Sequence, residues 1–135
     1  MASMNVEKAA FRARRESIGM SQQTLAELLG VQLRTVKRWE SDASRSPILP
    51  AAWGVLGERE DAFHRVVDNA VRLGIELAGR QEGPIPMPYY RTQAMADQAG
   101  HEGEPFDELN ARSRAIALEL RRHDIEVEYF YPIDE

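Results

Sequence analysis

Apolar residues return at helical spacing through much of the first eighty positions and at strand spacing only near the end. Val6, Ala10, Ala13 and Ile18, with Phe11 near them, predict a helix over 6–18, with Arg12, Arg14 and Arg15 around its other side. Gly19 ends it, since glycine enters the left-handed conformation that closes a helix. Ser21 then stands in N-cap position, with Thr24 three residues on. A second helix over 22–29 is expected to bury Leu25, Ala26, Leu28 and Leu29, with Ala26 small enough for a close helix crossing. Gly30 makes the next turn and Val31 fills the core beneath it. The third helix runs from about Leu33 to Ser41, and only Val36 and Trp39, spaced i, i+3, face inward.

Two prolines and three serines between Ser41 and Pro50 mark a loop. Beyond it, Glu58 to Arg80 reads as one long helix. Phe63, Val66, Ala70, Leu73 and Leu77 step by 3, 4, 3 and 4, a heptad seam that Leu56 continues backwards. Gly74 weakens that helix by up to about 1 kcal/mol relative to alanine. The seam suits a partner helix or the chain's own domain equally well. Prolines alternating over Gly83–Pro88 break the pattern and lead to an extended piece at Met87–Arg91. A brief helix at Thr92–Ala99, a loop at Gly100–Pro105 and a long helix at Phe106–Arg122 follow, the last with Phe106, Leu109, Ile116, Ala117 and Leu120 apolar. Ile125 to Tyr131 alternates apolar and acidic residues before turning aromatic, which predicts a half-buried strand. Its partner is either Met87–Arg91 of the same chain or the same strand of another subunit. The expected fold is mainly α: a helical module over 1–57, then a long helix with a small α+β region over 58–135.

The bulk properties narrow the function. With 135 residues, 43% apolar and 29% charged, the chain has an ordinary globular composition. The absence of cysteine excludes disulfides and thiolate zinc sites. Apolar runs are far too short to span a membrane, and the start has no basic-then-apolar signal segment, so a cytoplasmic location is expected. Met1-Ala2-Ser3, before a second methionine, carries no weight. The net charge of −5 is unevenly divided. The first 60 residues hold nine basic and seven acidic groups, the remaining 75 eight and fifteen. Phosphate affinity follows local basic clusters and not the total.

Enzymatic chemistry finds no foothold. His64, His101 and His123 lack metal-ligand spacing, and there is neither a phosphate-binding glycine loop nor an activated nucleophile. The pairs Glu102/Glu104 and Glu126/Glu128 fit solvated loop and strand faces. Tyr129-Phe130-Tyr131 fits an interface or a core better than nucleobase stacking. No enzyme activity, metal or cofactor is expected.

The third helix carries the functional argument. Its narrow apolar stripe leaves Leu33, Arg34, Thr35, Lys37 and Arg38 on the outside, where a core helix is normally wider in its apolar face. Arginine pairs bidentately with guanine, and a leucine or threonine methyl packs on the thymine methyl. The pattern R-x-x-x-G-M-S-Q-x-x-L-A-E-L-L-G-V-x-x-R-T-V-x-R-W-E, over Arg15–Glu40, resembles the helix-turn-helix of the Cro/C1-type (XRE) repressor family. That resemblance covers most of residues 5–57. It implies a five-helix, lambda-repressor-like module, with a short fourth helix after the Ser41–Pro47 loop and a fifth starting near Pro50 and carrying Trp53 and Leu56. It also implies that Leu33, Arg34 and Arg38 read bases, and that Gln22 holds a phosphate and braces the recognition helix. Arg15, Ser21, Gln32, Thr35, Lys37, Ser44 and Arg45 are the further DNA-supporting or phosphate-facing positions. Arg15 and Glu40 match a pair that forms an internal salt bridge in such repressors. Some positions depart from the pattern: Leu33 is often polar there, Gln32 is a weak N-cap, and Asp42 opposes phosphate unless Ser44 and Arg45 offset it.

Further on, PYYR, a short helix, G-x-P-F, a long helix with A-x-A-L-E-L, and then D-I-E-V resemble the C-terminal part of a YdiL-like group that includes anti-CRISPR-associated repressors. This implies a dimerising C-terminal region and autorepression of an operon, phage or mobile-element operons included. The leading expectation is a homodimeric repressor of double-stranded DNA, its dimer contacts drawn from Phe63, Val66, Ala70, Leu73, Ile125, Val127 and Tyr129. The alternatives left open are an antitoxin-like protein whose C-terminal half binds a partner protein, RNA binding alongside DNA, and a ligand-responsive regulator.

Overall fold

A computed structural model describes residues 3–132; Met1 and Ala2 of the leading tripeptide lie outside them. The element order is α1 (Met4–Ser17), α2 (Gln22–Leu29), α3 (Leu33–Glu40), α4 (Pro50–Ala78), β1 (Ile85–Pro88), α5 (Gln93–Gln98), α6 (Phe106–Arg122) and β2 (Val127–Phe130). By its contacts the chain divides into two compact units, Met1–Asp61 and Ala62–Glu135, and α4 runs through the division. Among the described residues no helix is long and apolar enough to cross a membrane.

In the first unit, α1 turns a different side inward from the one its small apolar residues suggest. Phe11 and Ile18 are buried together with Lys8 and Arg15, while Val6, Ala10 and Ala13 are exposed. At about 100° per residue, Phe11 and Ile18 project roughly 120–160° away from Val6 and Ala13 and about a right angle away from Ala10. The bulky aromatic decides the orientation, because it removes far more apolar area from water than two alanines. Arg15 therefore joins the core side instead of lying with Arg12 and Arg14. In α2, Leu25 and Ala26 are buried and Leu29 is half-buried, but Leu28 is exposed because it lies roughly 100° off that stripe. Gly30 closes α2 in the left-handed conformation, φ 66°.

The expected five helices of this module are not observed. No helix forms over 41–49, and the helix starting at Pro50 continues unbroken to Ala78. The serines of the loop bond their own backbone: Ser41 Oγ accepts from Ala43 N–H at 3.2 Å and Ser44 Oγ from Ser46 N–H at 3.1 Å. Such local bonds compete with helix formation, and Pro47 disfavours it for the residue before. Pro50 fits the first turn of α4, where its missing N–H costs nothing. Ala52 and Leu56 are buried at that end, and Trp53 meets Phe11 edge-on with ring centroids 5.0 Å apart.

The second unit is a small α+β fold. β1 and β2 form a two-stranded parallel sheet in the register Ile85↔Val127 and Met87↔Tyr129. The tail strand thus pairs with its own chain, two residues earlier than the Met87 start expected. Ile85 and Met87 are buried on one face of β1. Asn110 of α6 satisfies the backbone just beyond β1, donating to Tyr90 O at 2.7 Å and accepting from Tyr90 N–H at 2.8 Å. Ser113 Oγ donates to Pro88 O at 2.9 Å. Tyr90, Ala96 and Leu109 form a buried cluster, with Met95 and Phe106 against it.

The heptad reading of α4 is corrected by a split. Phe63 is buried in its own chain along with Val67, Val71 and Gly74, whereas Val66, Leu73 and Leu77 are exposed and Ala70 is intermediate. The inward stripe steps by 4, 4 and 3, one residue out of phase with the seam read from the sequence. Gly74 explains the choice: a Cβ there would lie 2.9 Å from Leu120 Cδ2, so α6 packs where α4 has no side chain.

Candidate nucleic-acid interface

α3 has two unlike sides. Val36 and Trp39 are buried, while Arg34, Lys37 and Arg38 are exposed and lie within roughly 100° of arc. Leu33 and Thr35 flank them, half-buried. Three cations on so narrow a face repel one another, so the helix needs external support to stay in place.

That support comes mostly from α1. Lys8, nearly inaccessible to solvent, extends its Nζ to the C-terminal end of α3. It donates to Arg38 O at 2.9 Å, Trp39 O at 2.9 Å and Ser46 O at 2.8 Å. The last carbonyls of a helix have no internal partner and carry the negative end of its dipole, so an ammonium there is well matched. The same bonds tie α1 to the 41–49 loop. Burial pushes the Lys8 ammonium below its ordinary 10.5. All three of its donors are used.

Arg15 makes the second tie. Its Nε and Nη2 donate to the two carboxylate oxygens of Glu40 at 2.6 and 2.7 Å, and its Nη1 donates to Met20 O at 2.7 Å. Both partners are almost fully shielded from water. The fork-to-fork geometry is the strong, directional form of an ion pair. Gln22 adds a third contact, Nε2 donating to Glu40 Oε1 at 3.1 Å. Arg14 meanwhile stacks over Trp53 at 5.3 Å and donates through Nε to Glu60 at 3.0 Å, which fixes the start of α4.

The predicted site residues divide accordingly. Leu33, Arg34, Thr35, Lys37 and Arg38 share the outer side of α3. Lys37 and Arg38 also line a shallow concavity of about 430 Å³ with Ser41, Ala43 and Ser44. Arg45 lies with Asp42, Ser44, Met4, Asn5 and Lys8 around a neighbouring one of about 320 Å³, so the opposing Asp42 is beside its expected offset. Ser21 is occupied as the α2 cap, accepting from Thr24 N–H at 3.0 Å. Gln32 is exposed and makes no side-chain cap. Arg15 is corrected as a phosphate-facing residue: buried and bonded to Glu40 and Met20, it positions α3 from behind.

Lys8 is the residue that sequence reasoning missed. Its signal was present, since Lys8, Phe11, Arg15 and Ile18 step by 3, 4 and 3 along one side of α1. Two of the four are cations, which hides the stripe from a search for apolar positions.

A helix-turn-helix family model, HTH_3, matches residues 11–49. The match spans the end of α1, all of α2 and α3, and the loop that Lys8 holds. It supports the broad Cro/C1-type reading of this segment and, with it, a DNA-binding helix-turn-helix regulator. No curated protein matches the chain.

Proposed function

We propose that this protein is a sequence-specific double-stranded-DNA-binding repressor that acts as a homodimer on an inverted repeat upstream of its own operon. The observation carrying the proposal is the outer face of α3, with Arg34, Lys37 and Arg38 exposed on a helix fixed by Lys8 and by the Arg15–Glu40 pair. Arg34 and Arg38 read base edges in the major groove, Leu33 packs on a thymine methyl, and Thr35 and Lys37 support them. Ser44 and Arg45 meet the phosphate backbone beside Lys37. Gln22, tied to Glu40, braces the recognition helix while its remaining valences face the phosphates. The helix-turn-helix match to residues 11–49 supports the DNA-binding part of this reading. The YdiL-like pattern of the C-terminal half supports autorepression. The chemistry is binding, with no enzymatic step and no cofactor, in the cytoplasm.

The test is a footprint and a gel-shift series on the DNA upstream of the gene. A dimer on an inverted repeat protects two half-sites about one helical turn, roughly 34 Å, apart. Arg34→Ala and Arg38→Ala each weaken operator binding by about 1–3 kcal/mol, with relaxed specificity at the contacted base. Unchanged affinity in both variants would refute the assignment of α3 as the reading helix.

A further inference from the structure

The two edges of the β1–β2 sheet are chemically unlike. Ile85 N–H donates to Glu126 O at 2.9 Å and Tyr89 N–H to Phe130 O at 2.9 Å. Successive strand residues turn their backbone groups to opposite sides. Positions 85, 87 and 89 of the first strand therefore face β2, and positions 86 and 88 face away. Both of the latter are proline, which has no N–H, and the Pro88 carbonyl is already taken by Ser113. The outer edge of β1 is closed. On the second strand, 126, 128 and 130 face β1, so Val127, Tyr129 and Tyr131 turn their N–H and C=O groups outward. Among the described residues no third strand joins the sheet. The residues on and around that edge are large and apolar: Tyr129, Phe130 and Tyr131 are 41%, 44% and 51% exposed. An open, apolar edge is the arrangement that folded proteins normally blunt with charge, proline or a covering element.

We propose that the outer edge of β2 is the dimer interface, joined antiparallel to the same edge of a second copy into a four-stranded sheet. This rests on the homodimer reading above and names its surface. Charge excludes two registers. A two-fold axis through Val127 would set Glu126 opposite Glu128 of the second copy, and one through Glu128 would set that residue opposite itself. Like charges directly opposite are destabilising. An axis through Tyr129 instead sets Val127 opposite Tyr131 and Glu128 opposite Phe130, so no carboxylates meet. In this register Tyr129 exchanges both backbone hydrogen bonds with its own counterpart. A cavity of about 450 Å³ beside the edge, lined by Tyr89, Arg114, Tyr129, Phe130 and Tyr131, gives the incoming aromatic rings room. The joined sheet also passes the two-strand size that is marginal by itself in water.

The experiment is sedimentation of the full chain with three variants. Tyr129→Pro removes the central outward N–H without touching the bonds to β1, so the protein falls from dimer to monomer mass with its circular dichroism intact. Leu73→Glu, on the exposed stripe of α4, remains a dimer. Tyr129→Cys supplies the only thiol in a chain without cysteine and is joined to its counterpart by a short bismaleimide. A wild-type chain that sediments as a monomer would remove the homodimer reading and this interface with it. A wild-type dimer that Leu73→Glu dissolves, while Tyr129→Cys gives no cross-link, would overturn the β2 interface and leave the homodimer standing. The cross-link decides the matter even if Tyr129→Pro fails to fold.

Discussion

Lys8 and Arg15 are cations used as core residues, tolerated because all three donors of the ammonium and all three nitrogens of the guanidinium reach an acceptor. Hydrogen bonds to a charged group are worth roughly 1.5–3 kcal/mol, and leaving a buried partner unsatisfied costs about as much again. Lys8→Met keeps the aliphatic stem but strands the carbonyls of Arg38, Trp39 and Ser46. We expect it to destabilise the first unit by about 1.5–3 kcal/mol. Both tryptophans, Trp39 and Trp53, lie in that unit, so urea unfolding followed by tryptophan fluorescence isolates the effect. An unchanged midpoint would mean that Lys8 is a spectator. In the second unit, the hydrogen bond from His101 at 2.8 Å, helped by the charges of His101 and Arg112, holds the Glu104 carboxyl below its ordinary 4.5 against the opposing effect of burial. A carboxylate with a depressed folded value stabilises above the unfolded value, and that contribution is lost as pH falls through the folded one. Glu104→Gln should therefore lower the melting temperature slightly at pH 7, with the gap closing below pH 4.5 as the wild-type carboxyl protonates. The effect is small because Glu104 is half in solvent. A gap that does not narrow as pH falls below 4.5 would contradict the linkage.

At the level of elements, α4 shows how a correct helix can carry a misread face. The sequence reading put Gly74 down as a weakness, whereas it is the contact point of α6. Gly74→Ala gains up to about 1 kcal/mol of helix propensity but forces a methyl against Leu120, and overpacking of a buried site costs about 1–3 kcal/mol. The net effect should be a lower melting temperature, relieved when Leu120→Val is added. A stabilised Gly74→Ala variant would refute the close packing. The same helix shows where legibility ends. Phe63, Val66, Ala70, Leu73 and Leu77 make a convincing seam because period alone cannot distinguish two apolar stripes on one helix. Gly74 takes the inward position through Leu120 of α6, more than forty residues away in sequence, and Val67 and Val71 are buried on the same stripe. The bounds of α2, by contrast, are readable to the residue, because Ser21 and Gly30 punctuate it locally. The continuity of α4 back to Pro50 was hidden by the family pattern, which implied a break that the residues do not enforce. For the interface, the outer face of α3 could be read from Val36 and Trp39. What holds it was half visible: Arg15–Glu40 came from the resemblance, and Lys8 from neither source.

For the molecule as a whole, the issue is how a chain of net charge −5 approaches a polyanion. The acidic excess belongs to the residues after position 60, and the cations that face outward on α3 belong to the head. Screening in physiological salt limits exposed charges to a range of about 8 Å, so total charge is a poor guide to the contact energy. Counterion release counts only phosphates that are neutralised directly, giving a slope of about −0.9 per contact in log affinity against log salt. Two changes of equal charge should then behave differently. Asp68→Asn with Glu76→Gln removes two exposed carboxylates from α4 and makes the total charge less negative by two. Affinity should move by no more than about twofold and the salt slope should not change. Lys37→Gln with Arg45→Gln changes the total by the same amount in the other direction. It should flatten the slope by about 2 and weaken operator and unrelated DNA alike, because phosphate contacts position without discriminating. Salt titrations of the wild type and both double variants on one operator fragment separate the cases. A slope that followed total charge in both variants would mean that the head does not act locally, and the division of charge along the chain would lose its functional meaning.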